Sequence, residues 1–225
     1  PIGKFREWWR VRRGIAQLSS PVGSMVVGPT YTIRDEFPSN MAAGTINGTP
    51  AAPGPGTRAV VDTESKFSIS GSIATFLPLA TPAWNNPNDY YDAITRTAGI
   101  VYLTRFTGVT AKQRMLGFSV SKSGGTTPTG ALLFVDGSNN FKPRDSGTGP
   151  AVLAIDVSAN YWEIAIVLRT SGMFLFIKGG LFTTWTLLWG STLESTSTLF
   201  PGIANNNDTG LLVDYVRIPG EKYFV

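Results

Sequence analysis

Residues 161–190 read YWEIAIVLRTSGMFLFIKGGLFTTWTLLWG. Two apolar runs, 161–169 and 173–178, are joined by Thr170-Ser171-Gly172, and a third covers 181–190. β-Branched and aromatic residues dominate, and no helical apolar period is sustained. Short runs of this composition, bounded by Gly, Ser and Thr, predict β-strands joined by tight turns. Trp185 and Trp189 stand four apart, which on a regular strand predicts one shared face. Packing in the core or on a sheet face is their expected role.

On either side of this stretch the same pattern recurs. Toward the C-terminus, strands are predicted over 199–203 and 211–218. In LLVDYVRIP (211–219), regular alternation would put Leu212, Asp214, Val216 and Ile218 on one face, and Leu211, Val213, Tyr215 and Arg217 on the other. Toward the N-terminus, runs at 131–135 and 140–144 flank Asp136-Gly137-Ser138-Asn139, a hairpin turn. Further strands are predicted over 115–122, 99–106, 58–62 and 31–37. The runs 66–70 and 73–77 enclose Gly71-Ser72, which suggests a second tight hairpin. Two long loops interrupt the series: 44–57, with two Pro-Gly dipeptides, and 78–92, rich in Pro and Asn. About a dozen strands and no sustained helix imply an all-β fold of two packed antiparallel sheets.

Composition agrees. The 225 residues are 42% hydrophobic but only 15% charged, against roughly 25% in an average soluble domain. One large sandwich of about 200–250 residues accounts for that length. There is no cysteine and no histidine. That removes disulfides, thiolate and His-ligated zinc, and the Ser-His-Asp and Cys-His triads. No apolar run approaches the ~20 residues of a membrane-spanning helix, and no signal peptide is visible.

The net charge of +4 is local. Residues 1–13 carry Lys4, Arg6, Arg10, Arg12 and Arg13 against Glu7, while the other 14 basic and 14 acidic residues cancel. On a helix, Phe5, Trp8, Trp9 and Arg12 would share a face. Three readings stay open for this partly helical arm. Phe5, Arg6, Trp8, Trp9, Arg10, Arg12 and Arg13 could dock on a neighbouring subunit. The arm could lie on an anionic membrane surface, or it could pack on its own domain or be a solvated tail. Docking is the expectation, and a membrane is not the expected partner. A nucleic acid is not expected, because the body carries no basic patch. The layout is therefore a basic aromatic arm (1–18), a Gly/Pro linker (19–30) and a β-sandwich domain (31–225).

Asp35-Glu36-Phe37 at the opening of the body and Val213-Asp-Tyr-Val-Arg-Ile218 at its close resemble the terminal strands of concanavalin A-like, laminin-G-like jelly rolls. FIKGGLFTTWTLLW (176–189) resembles a variant of this module found in phage particle and bacterial surface proteins. The resemblance implies a two-sheet antiparallel jelly roll whose first and last strands pair at the centre of a sheet. It also implies recognition of carbohydrate or protein at a loop rim or concave face. The superfamily includes glycoside hydrolases. A retaining glycosidase needs two carboxyls about 5–5.5 Å apart; no Glu-x-Asp-x-x-Glu spacing occurs, and Asp62-x-Glu64 reads as a solvated turn. Hence no catalytic residue is expected.

The resemblance also implies a calcium ion in many members. Two clusters of Asn and Asp are available, Asn85, Asn86, Asn88, Asp89 and Asp92, and Asn205, Asn206, Asn207 and Asp208. Calcium takes six to eight oxygens, whereas Asn and Asp also make turns without any ion. No metal ligand or cofactor is therefore expected. The binding candidate is the 84–92 loop, with Trp84, Asn86, Asn88, Asp89, Tyr90 and Tyr91. Rings can stack on sugar faces while amides and carboxylates bond hydroxyls. The alternative is that the rings cap the core and the asparagines make turns. Arg96, Arg105, Lys112 and Arg114 read as solvated.

The sequence thus favours a non-enzymatic structural, decoration or fibre subunit of a virus particle or surface assembly. A carbohydrate-binding adhesin module is the alternative, and a glycoside hydrolase the third reading. Expected partners are other subunits in a homo-oligomer and surface glycans, on a virion or outside a cell.

Overall fold

The computed structural model describes residues 30–96, 99–147 and 149–219. The docking arm and nearly all of the linker lie outside these residues. Sixteen strands are described. They are β1 (Tyr31–Asp35), β2 (Ala59–Val61), β3 (Phe67–Ser70), β4 (Ile73–Phe76), β5 (Asn88–Tyr90), β6 (Ile94–Thr95), β7 (Ile100–Thr107) and β8 (Arg114–Ser119). β9 (Gly130–Val135), β10 (Asn140–Asp145), β11 (Leu153–Ala154), β12 (Trp162–Arg169), β13 (Gly172–Gly179), β14 (Phe182–Gly190), β15 (Thr198–Asn205) and β16 (Leu211–Pro219) follow. They build two antiparallel sheets. The first runs β14-β13-β12-β7-β16-β4-β3, with β1 also on β16. The second runs β11-β10-β9-β8-β15-β5-β2, with β6 also on β15.

The first and last strands pair, Tyr31 opposite Pro219 and Asp35 opposite Val216, inside the first sheet. Tight turns set the hairpin registers. Ser70 faces Ile73 across Gly71 and Ser72, whose φ angles of 58° and 63° are those of a two-residue primed turn. Asp136 holds the β9–β10 turn by accepting bonds from the Ser138 and Asn140 amides at 2.8 and 2.9 Å. The inward rows of both sheets meet in one core. β12 and β13 contribute Ile164, Ile166, Leu168, Met173, Leu175 and Ile177; β8 and β9 contribute Leu116, Phe118, Leu133 and Val135.

Two readings of strand faces are corrected, both by β-bulges. In β14 the partner of Phe176 is Leu187, but that of Leu175 is Trp189. One extra residue there moves Trp189 onto the core, while Trp185 packs on the outside with Leu103, Phe174 and Phe176. The tryptophans therefore take opposite faces. In β16 the register shifts between Val213 and Tyr215. The core row is Leu211, Val213, Val216 and Ile218 rather than a single alternating set.

Two arginines read as solvated are instead buried. Arg96 is 2% exposed and holds Asp145 through two bonds of 2.6 and 3.0 Å. It also donates to the carbonyls of Arg169 and Leu193. Arg114 is wholly buried against Asp208 at 2.9 Å. Gly108 allows that pair, because a Cβ there would lie 2.3 Å from both Arg114 Nη1 and Asp208 Oδ2. Each pair joins segments far apart in sequence, which single-strand patterning does not register. Arg105 stays partly exposed in an ion pair with Asp214.

Candidate functional site

β8 and β9 (RMLGFS and GALLFV) are buried on both faces. Their outward residues therefore need a cover of their own. Register lines up Ala204, Met115 and Phe134 in one row, and Gly202, Gly117 and Leu132 in the next, with Tyr90 beside Gly202. Met115, Leu132, Phe134, Tyr90 and Ala204 form an apolar cluster separate from the main core, and half-buried Trp84 and Phe200 pack against it. Gly202 is needed here, since a Cβ would lie 2.3 Å from Tyr90 Cδ1. The Trp84 ring meets Phe134 edge-on, with centroids 5.3 Å apart.

Residues 120–129, between β8 and β9, fold over one end of this face. The Gly125 amide donates to the Trp84 carbonyl at 2.7 Å, and Asn85 Nδ2 donates to the Ser123 carbonyl at 2.5 Å. Two cations flank the rings. Lys122 Nζ stands 4.9 Å from the Phe200 centroid, and Arg144 Cζ stands 4.4 Å from that of Phe134. The apolar and aromatic residues named here include no carboxylic acid; Asp136, beyond Phe134 at the end of β9, is held at 2.6 Å by Lys142, the cross-strand neighbour of Phe134. Tyr90 and Phe134 are covered, so Trp84 and Phe200 are the rings that reach solvent, with two positive charges nearby, an arrangement suited to stacking on a flat, weakly polar ligand.

The residues singled out in 84–92 divide. Trp84 and Tyr90 belong to the outer face. Asn86 and Asn88 are buried and spend their amides inside the protein: Asn86 Nδ2 donates to Thr63 Oγ1 at 3.0 Å, and Asn88 Oδ1 accepts the Val61 amide at 3.0 Å. Asn88 to Tyr90 are strand β5 rather than loop, so alternation turns Asp89 and Tyr91 into the interior. Phe134, Phe200, Lys122 and Arg144 were not singled out. They come from four separate places in the sequence, and their one signal is that GALLFV is apolar at both parities.

Asp89 and Tyr91 enter a buried polar network. Arg58, 1% exposed, grips Asp35 through bonds of 2.6 and 2.7 Å. Tyr91 Oη lies 3.0 Å from Asp35 Oδ2 and 3.2 Å from Asp89 Oδ2. Burial, then the nearby Asp35 charge, push the Asp89 carboxyl well above the ordinary carboxylate range. The phenol has one hydrogen to give, and it stands within reach of both carboxyl groups. The network is sealed from solvent and joins the two sheets.

The two Asn/Asp clusters do not fit a calcium ion. Asp208 is held by Arg114, and Asn205 Oδ1 accepts the Asp208 amide at 2.9 Å. Asn207 Oδ1 accepts the Gln113 amide at 2.7 Å. In the other cluster Asp89 points inward, and Asp92 accepts the Thr57 amide at 3.1 Å. Among the described residues no three acids gather as a metal site. Among the same residues no helix is long and apolar enough to cross a membrane.

No protein-family model and no curated protein matches the chain in sequence. Solved structures do resemble it. The exoplasmic/lumenal domain of VIP36, in its Ca2+/Man2-bound form, aligns with a TM-score of 0.56 at 7% identity, covering 80% of this chain and 87% of that one. The metal-free form of the same domain aligns at 0.57 and 6% identity, covering 80% and 91%. Winged bean acidic lectin, complexed with methyl-alpha-D-galactose, aligns at 0.52 and 9% identity, covering 72% and 92%. At such identities the likeness concerns fold alone. Together with the paired first and last strands and the two antiparallel sheets, it makes this chain a concanavalin A-like jelly roll.

Proposed function

We propose that the chain is a non-enzymatic carbohydrate-binding module that holds a glycan against Trp84 and Phe200 on the outer face of the second sheet. The carrying observation is that face itself: an apolar, ring-lined surface with half-buried aromatics and polar groups at its edge. Sugar rings present flat C–H faces that stack on such rings. The VIP36 domain and the winged bean lectin were solved with sugars, which supports the reading through the shared fold. These likenesses favour glycan recognition over the particle-subunit reading of the sequence. A lining whose neighbouring acid, Asp136, is tied to Lys142 lacks the acid pair that glycoside hydrolysis requires. In this proposal residues 1–18 mount the module on a larger assembly outside a cell, with Phe5, Trp8 and Trp9 as anchors.

The test is a glycan screen of the full chain, with and without a calcium chelator. Trp84→Ala should weaken the best ligand about tenfold, the scale of one lost aromatic contact, and leave the fold intact. The chelator should change nothing. A folded protein that binds no glycan, or binds equally well without the Trp84 ring, would overturn the proposal.

A further inference from the structure

Eight cations in the described chain are matched by acids: Arg34, Arg58, Arg96, Arg105, Arg114, Lys142, Lys178 and Arg217. Lys66, Lys112, Lys122 and Arg144 have no acid partner among the described residues, and of these Lys122 and Arg144 share the outer face of the second sheet. Both stand over rings of the same face, Phe200 and Phe134, instead of beside a carboxylate. Arg144 gives Nη1 to the Pro128 carbonyl at 3.3 Å, but its Nε is buried and meets no acceptor. That Nε is out of a ligand's reach, so an oxyanion would meet the guanidinium at Nη2, to which the described residues offer no acceptor.

From this arrangement we infer that the outer face of the second sheet selects acidic glycans, with the sugar on Trp84 and Phe200 and its carboxylate or sulfate on Lys122 and Arg144. The inference rests on the glycan-binding reading and adds the ligand's charge. Charge complementarity carries it, because Lys122 and Arg144 have no acid partner and the acid beside this face, Asp136, is already taken by Lys142. Burial lowers the Arg144 pKa with no acid to offset it, and a bound anion would remove that cost. A planar guanidinium fork fits carboxylate and sulfate alike, so the geometry specifies the oxyanion and not its parent sugar.

The experiment compares dextran, carboxymethyl-dextran and dextran sulfate, with polygalacturonate and a neutral galactomannan beside them, on the full-length chain at fixed salt. The arm carries its own positive charge, so variants decide the outcome. Lys122→Gln combined with Arg144→Gln should lose about tenfold or more for the acidic polymers. Lys112→Gln, which alters an unpaired cation before the opposite end of β8, should lose nothing. Arg144→Lys should keep part of the binding. If Arg144→Gln disturbs folding, Lys122→Gln alone gives the answer. Carboxymethyl-dextran against dextran sulfate identifies which oxyanion is preferred. Trp84-dependent binding of neutral glycans, with acidic ones no tighter, would overturn the inference and leave the glycan-binding reading standing. Acidic binding unchanged in the double variant would place the attraction elsewhere and overturn it too. No binding to any glycan would remove both.

Discussion

Asp89 is a residue whose chemistry is set wholly by where its strand turns it. In the unfolded chain its carboxyl ionises near pH 4. In the folded protein burial keeps the proton on, so the folded state holds one proton more as pH rises past that value. Stability from this group is therefore complete below about pH 4 and falls as pH climbs toward the raised folded pKa. Asp89→Asn keeps a hydrogen-bonding group beside Tyr91 and removes the proton linkage. The variant should match the native protein near pH 4 and exceed it in melting temperature at pH 8, as thermal scans across that range would show. A native protein as stable as the variant at pH 8, or more so, would mean that Asp89 is ionised in place. The sequence showed the residue types of this network but not their arrangement. Asp35, Arg58, Asp89 and Tyr91 come from three segments that only the sandwich brings together.

At the scale of the element, the existence of nearly every strand was legible, because turn residues and apolar runs are local signals. Which face a residue takes was legible only where alternation is unbroken. A bulge adds one residue and reverses every face beyond it, and nothing in LFTTWTLLWG distinguishes a bulged strand from a regular one. Deleting Leu188 should remove the bulge and leave Trp189 opposite Leu175 on the core, because the shortened strand then alternates regularly from Leu187. The loss is expected to be about 1 kcal/mol, the scale of the partly buried apolar contact that Leu188 makes with the core, read by chemical denaturation. A loss of about 3 kcal/mol or more would mean that Trp189 left the core as well. The candidate site was half legible for a related reason. Trp84 and Tyr90 stand out within one short segment, whereas Phe134, Phe200, Lys122 and Arg144 become neighbours only through the order β10-β9-β8-β15-β5.

Across the whole molecule, charge and shape are divided between parts. Excess positive charge lies in residues 1–13, and the neutral body keeps two unmatched cations, Lys122 and Arg144, beside the rings on the outer face of the second sheet. Three buried arginine–carboxylate pairs, Arg58–Asp35, Arg96–Asp145 and Arg114–Asp208, sit apart from that surface and tie loops to the sandwich. Removing one partner of such a pair costs far more than the intact pair contributes. The pairing of β1 with β16 has a further consequence. Tyr31 and Pro219 are cross-strand neighbours, so the chain enters and leaves the sandwich at one spot. The body is thus wired as a plug-in unit that another protein could carry inside one of its own surface loops without stretching either flank. The same wiring allows the order of the chain to be changed. Joining residue 219 to residue 31 by a short Gly/Ser bridge, and opening new ends at Leu181, 92% exposed at the β13–β14 tip, should give a circular permutant. It should unfold in one cooperative transition and keep its ligand, while a permutant opened within β12 should not fold.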